Sequence, residues 1–164
     1  MNEPTGFMTA LHSEGPADDR ARQLELYGWL IGDWVMDATV HHLDDGTTFK
    51  GSGEIHFGWV LQGRAIQDVW ILPGVFHGTT LRIYDPGLGA WHILWSDPLR
   101  QVYTRQLGRA QGNDIVQIGK NDSGVMLRWS FTDITADTFR WLGESSPDDG
   151  KSWHLQAEFH ARRS

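Results

Sequence analysis

From Trp34 to the C-terminus the sequence alternates apolar and polar side chains with period two, and nine clusters of turn residues interrupt the alternation. The interruptions fall at Asp45-Gly46, Gln62-Gly63, Pro73-Gly74, Asp85 to Gly89, Asp97-Pro98, Gly108 to Gly112, Asn121 to Gly124, Thr135 to Asp137 and Pro147 to Gly150. Period two is the mark of a strand with one buried face. Turn signals at a spacing of roughly 8–15 residues leave no room for helices between the strands. The pattern predicts an all-β domain of about ten hairpin-linked strands, and an antiparallel up-and-down barrel is the simplest closure because it leaves no edge unpaired.

Ahead of the first strand, Pro16 suits the first turn of a helix, and Asp18 and Asp19 suit its positive end. Leu24, Tyr27 and Leu30 give that short helix an apolar side, and Gly28 is placed to end it. Residues 1–15 are polar with scattered Gly and Pro and read as a flexible N-terminus; residues 16–164 read as one barrel domain.

Composition narrows the function classes. The chain has no Cys, which excludes thiolate catalysis and zinc-thiolate or iron–sulfur ligation. Its formal net charge is −7, and Lys50, Lys120 and Lys151 are its only lysines, so a phosphate-binding surface is not expected. The one basic cluster, Arg162-Arg163, reads as a frayed charged end. No stretch approaches the roughly 20 apolar residues of a membrane helix. Met1 to Glu14 has no basic start and apolar run of a secretory leader, and a cytoplasmic location follows by default.

Turn chemistry sets register, and register decides which side chains face inward. With Asp45-Gly46 as a two-residue type I′ turn, His42 pairs with Phe49. Trp34, Met36, Ala38, Val40 and His42 then share a face with Phe49, Gly51, Gly53, Ile55 and Phe57, whereas a three-residue loop would put Lys50, Glu54 and His56 there. The same logic at Gln62-Gly63 sets Trp59 opposite Ile66 and brings Asp68 and Trp70 onto the inner face. The next hairpin places Arg82 and Tyr84 beside Trp91, Ile93 and Trp95. Arg82, Arg128 and Arg140 are candidate anchors for an acidic ligand or members of a solvated face.

Gly32-Asp33-Trp34, at the start of the first strand, resembles the Gly-x-Trp opening of the calycin superfamily, whose lipocalins and nitrobindin-like relatives begin this way. Leu61-Gln62-Gly63-Arg64, and Tyr84-Asp85-Pro86 followed by Trp91 and Trp95, are similar to turns of bacterial lipocalin-like families of unknown function. The resemblance spans roughly residues 24–162. It implies a lipocalin-like barrel with an internal cavity for a small apolar or aromatic ligand, and no particular chemistry. Nitrobindin-like relatives bind haem through one His on a late strand. His154 is the nearest positional match, but alternation with Trp153, Leu155, Ala157 and Phe159 turns His154, Gln156, Glu158 and His160 outward, so no cofactor is expected.

None of the eight His forms a metal-binding spacing, so no metal is expected either. His41 and His42 are adjacent and point to opposite faces of a strand. Ser146 to Trp153 matches the Asp-box pattern Ser-x-Asp-x-Gly-x-x-Trp. It occurs once, in a chain too short for a propeller, and reads as a hairpin in which Asp148 caps the turn amides.

Three functions fit these residues. A Trp-lined barrel would bind a small, largely apolar or aromatic molecule, with Trp34, Trp70, Trp95 and Trp141 as walls and His42, Asp68, Arg82 and Tyr84 orienting it. Alternatively, His42 and Asp68 side by side in a dry cavity would tune a general base for a cofactor-free isomerase, cyclase, decarboxylase or hydrolase; a buried polar pair that only fixes register uses the same residues. Finally, strand 64–72 is apolar on both faces, which suits cover by the N-terminal helix or by a second subunit in a homodimer.

Overall fold

The computed structural model describes residues 5–164, so the first four residues of the expected flexible start lie outside the described residues. A five-residue helix, α1 (Phe7–Leu11), leads into a two-residue strand, β1 (His12–Ser13). A 3₁₀ turn at Asp18–Arg20 leads into α2 (Ala21–Gly28). Ten longer strands follow: β2 (Gly32–His41), β3 (Thr48–Val60), β4 (Ala65–Leu72), β5 (Phe76–Asp85), β6 (Ala90–Asp97), β7 (Val102–Gln111), β8 (Asp114–Lys120), β9 (Met126–Thr132), β10 (Thr138–Ser146) and β11 (His154–Arg163). Each pairs antiparallel with the next, and β11 returns to pair with β2, from Ala157 opposite Val40 to Arg163 opposite Trp34. The expected up-and-down barrel of ten strands therefore closes, with β1 added against Val60 and Trp59 of β3. Among the described residues no helix is long and apolar enough to cross a membrane.

Two features of the N-terminal segment depart from expectation. Within residues 1–15, His12–Ser13 is hydrogen-bonded to the barrel through that added strand. The helix also starts later than Pro16, because Ala17 is held extended while its amide donates to the Gly63 carbonyl at 2.9 Å. α2 does not cover the outer face of β4. It plugs one end of the barrel, with Leu24 and Tyr27, and Leu30 just beyond it, fully buried. Gly108 makes room for this plug, since a Cβ there would overlap the Tyr27 hydroxyl.

The β2–β3 register is slipped by two residues from the sequence expectation: Val40, not His42, faces Phe49. The connection is a four-residue loop, Leu43 to Gly46, closed by His42 N–H to Thr47 O and Gly46 N–H to His42 O, both 2.8 Å. Asp45 supports the longer loop by accepting from the Thr47 amide and hydroxyl at 2.9 and 2.6 Å. A slip of two leaves every side chain on its predicted face. Trp34, Met36, Ala38, Ile55 and Phe57 are buried inside as expected, but the mouth-end members of the set, His42 and Phe49, lie exposed past the barrel rim. The β3–β4 and β5–β6 registers match: Trp59 faces Ile66, Tyr84 faces Trp91 and Arg82 faces Ile93.

Arg162-Arg163 is not a frayed end. Both residues belong to β11, and Arg163 lies across the Trp34 ring with its guanidinium carbon 4.2 Å from the centroid. It donates to the carbonyls of Trp29, Ile31 and Ala136, which fastens the plugged end.

Candidate functional site

The loops at 42–47, 73–75, 98–101, 121–125 and 147–153 surround the end opposite the plug, and a cavity of about 330 Å³ opens there. That volume is at the low end for small-molecule sites. Its walls are rings in mutual contact. Trp141 stacks on Phe159 at 4.8 Å, Trp129 lies 5.6 Å from Trp141, Trp95 lies 6.3 Å from Trp129, and Trp70 lies 5.8 Å from Trp141. Phe76 joins Trp95 to Phe159 at 6.1 and 5.9 Å. Val75, Arg100, His41, His42 and Gln156 also line it, and among the described residues no Asp or Glu does.

The interior is divided by strand. β2, β3 and β9 to β11 contribute mainly rings and small side chains, while Asp68, Thr80, Arg82, Thr104, Gln106 and Gln117 project from β4, β5, β7 and β8. Hydrogen-bonded rows explain their neighbourhood: Arg82, Ile93, Gln106 and Gly119 stand in one row, and Asp68, Thr80, Trp95 and Thr104 in the next. Arg82 is the hub. Its Nη1 donates to Asp68 Oδ2, its Nε reaches Gln117 Oε1 at 3.4 Å, and the rings of Tyr27, Phe57 and Phe131 surround it at 5.3, 5.8 and 5.6 Å. Asp68 Oδ1 accepts the Thr80 amide at 2.7 Å. Burial pushes the Tyr27 phenol above its ordinary value, so it stays protonated and donates to Gln117 Oε1 at 3.0 Å. Both amide atoms of Gln106, Gln117 Nε2, Thr104 Oγ1 and Trp70 Nε1 are buried without a partner among the described residues.

Of the residues singled out from sequence, Trp70, Arg82, Trp95 and Trp141 line the cavity and His42 sits at its lip. Trp34, Asp68 and Tyr84 do not line it. Trp34 belongs to the plugged end, donating Nε1–H to Leu30 O at 2.7 Å. Tyr84 packs on Trp91 near α2. Asp68 lies behind Arg82.

The His42/Asp68 pair is not formed. Asp68 is level with Phe57 and hence with Gly32, at the start of β2, whereas His42 follows its end. Roughly 30 Å of strand separates the two levels at about 3.3 Å per residue. Asp68 has Arg82 as its partner, and the general-base arrangement has no geometry behind it. His41 and His42 both reach the lip, because the strand ends between them and period-two alternation stops. Arg128 and Arg140 are outside the cavity, paired with Glu144 and Glu158.

Sequence reasoning missed Phe76, Thr80, Arg100, Trp129 and Gln156. Thr80 and Trp129 were accessible by extending alternation along their strands. Gln156 was not: a β-bulge sets Leu155 and Gln156 against the single step from Gly143 to Glu144, and the expected outward residue turns to the cavity. His154 is exposed beyond that bulge. In the Asp-box hairpin, Asp148 accepts from the Ser152 amide and hydroxyl at 2.8 and 2.7 Å and from Ser146 Oγ at 2.8 Å. Those bonds hold its carboxyl at about 2, below the ordinary range.

No family model matches the chain, and no curated protein matches it. Solved structures do. Rv2717c from M. tuberculosis superposes with a TM-score of 0.62 at 14% identity over 88% of this chain and 98% of its own. The S-type phycobiliprotein lyase CpeS from Guillardia theta gives 0.60 at 14% identity over 85% and 91%. A DUF3598 protein of unknown function from Nostoc punctiforme gives 0.53 at 15% identity over 83% of this chain and 48% of its own. At such identities the likeness is one of fold.

Proposed function

We propose that this protein binds a small, largely apolar or aromatic molecule inside the open end of its barrel. The observation that carries the reading is the belt of Trp70, Trp95, Trp129 and Trp141 around an open cavity of about 330 Å³. A well-packed interior leaves few voids larger than a water molecule, so a cavity of this size reached from solvent and walled by rings supports a binding role. The phycobiliprotein lyase shares this barrel fold, and a lipocalin-like, calycin-type reading rests on that likeness of fold and on the Gly32-Asp33-Trp34 opening. The test is a titration of intrinsic Trp fluorescence with two-ring aromatic molecules and medium-chain fatty acids. Saturable changes in emission are expected for the aromatic members; silence across the panel would overturn the reading.

A further inference from the structure

The Trp belt accounts for shape but not for the polar floor beneath it. Arg82 and Thr80 are both almost fully buried, 1% and 2% exposed, and both line the cavity. The guanidinium uses Nη1 for Asp68 and Nε for Gln117. Nη2 makes no hydrogen bond among the described residues, and it is not among the sealed-off atoms that lack a partner, so the surface it keeps opens on the cavity. The Thr80 hydroxyl is in the same position: the residue's amide serves Asp68, while Oγ1 has no partner among the described residues and is not sealed off. Two donors thus stand at adjacent inward positions of β5 on the floor of a pocket whose walls are largely rings.

Charge decides what those donors receive. Asp68 already neutralises Arg82 inside the barrel, so a ligand carboxylate placed there would be a third buried charge without a counter-charge, which is strongly unfavourable. A neutral oxygen acceptor meets both donors without that cost. Resting on the ligand-binding reading above, we infer that the ligand is a planar aromatic carbonyl compound, its uncharged carbonyl oxygen held by Arg82 Nη2 and Thr80 Oγ1 and its rings between the tryptophans.

The experiment compares three probes of nearly one shape by fluorescence titration: 2-acetylnaphthalene, 2-isopropenylnaphthalene and 2-naphthoate. The ketone is expected to bind at least as tightly as the alkene despite its greater affinity for water, and the carboxylate weakest. Thr80→Val, which leaves the ion pair in place, is expected to shift the ketone-to-alkene affinity ratio about fivefold against the ketone, as one neutral hydrogen bond requires. Arg82→Met combined with Asp68→Leu removes the pair together and is expected to shift the ratio tenfold or more. A ratio unmoved by both variants overturns this inference while leaving an apolar binding site intact, and so does tightest binding by the carboxylate. Failure of all three probes to bind overturns the binding reading and this inference with it.

Discussion

Arg82 on β5 and Asp68 on β4 form an ion pair buried inside the barrel, with Thr80, the direct cross-strand partner of Asp68, two residues before Arg82. Such a pair contributes little net stability compared with apolar replacements, because desolvating both charges offsets their attraction. Removing one partner is another matter. Arg82→Met alone strands a buried carboxylate, and Asp68→Leu alone strands a buried guanidinium. Each is expected to cost about 3–5 kcal/mol in urea unfolding, and the double variant markedly less than the sum. Additive losses would mean the two side chains do not act as a pair.

The plugged end depends on Arg163. It joins three backbone carbonyls, at 29, 31 and 136, to the face of Trp34, so the last strand, the plug and the β9–β10 turn are held by one side chain. Arg163→Ala is expected to lower stability by about 2 kcal/mol, from hydrogen bonds made by a charged donor and a cation–π contact. Arg163→Lys should recover only part of that, because an ammonium cannot match the guanidinium's planar spread of donors. Thermal unfolding of the three proteins checks the order.

How far the sequence revealed this molecule differs by feature. Turn residues marked all nine connections, because Gly at positive φ and Asx caps are local chemistry. Facing survived the wrong loop length at Asp45-Gly46, since a slip of two preserves alternation. The same slip misled the reading of His42, because alternation says which side a residue is on and nothing about whether the barrel still encloses it there. The bulge at Leu155-Gln156 left no local signal, and neither did the choice of Arg82 over His42 as partner for Asp68, which is a matter of three-dimensional level. Arg163 was misread because its acceptors are backbone carbonyls distant in sequence.

His56 makes a pH dependence testable. Asp33 accepts from or pairs with its Nδ1 at 2.7 Å and Glu54 lies 3.2 Å from Nε2, and these carboxylates, Asp33 foremost, raise its pKa above the ordinary 6.5. A raised folded-state value contributes stability that is fully present below the ordinary value and is lost as pH climbs through the raised one. The site is well exposed, so the contribution is that of a surface pair, below about 1 kcal/mol. His56→Gln is expected to flatten stability between mildly acidic and mildly alkaline pH, and an NMR titration of the His56 ring should show its midpoint above the ordinary 6.5. A midpoint at or below the ordinary value would refute the assignment.

Ala157 separates ligand binding from stability. It is half-buried on β11, faces Gly143 across the sheet and lines the cavity near the mouth. A larger apolar side chain there enters existing empty space instead of a filled core, so the usual overpacking cost of about 1–3 kcal/mol should be largely avoided. Ala157→Phe is therefore expected to unfold in urea within about 1 kcal/mol of the parent, since added ring contacts offset local adjustment. The same ring takes cavity volume beside Trp141 and Phe159 that a bound aromatic molecule needs, and saturable Trp-fluorescence changes should disappear. Loss of binding with stability retained would place the ligand in the open end of the barrel; unchanged affinity for the same probe would place it elsewhere.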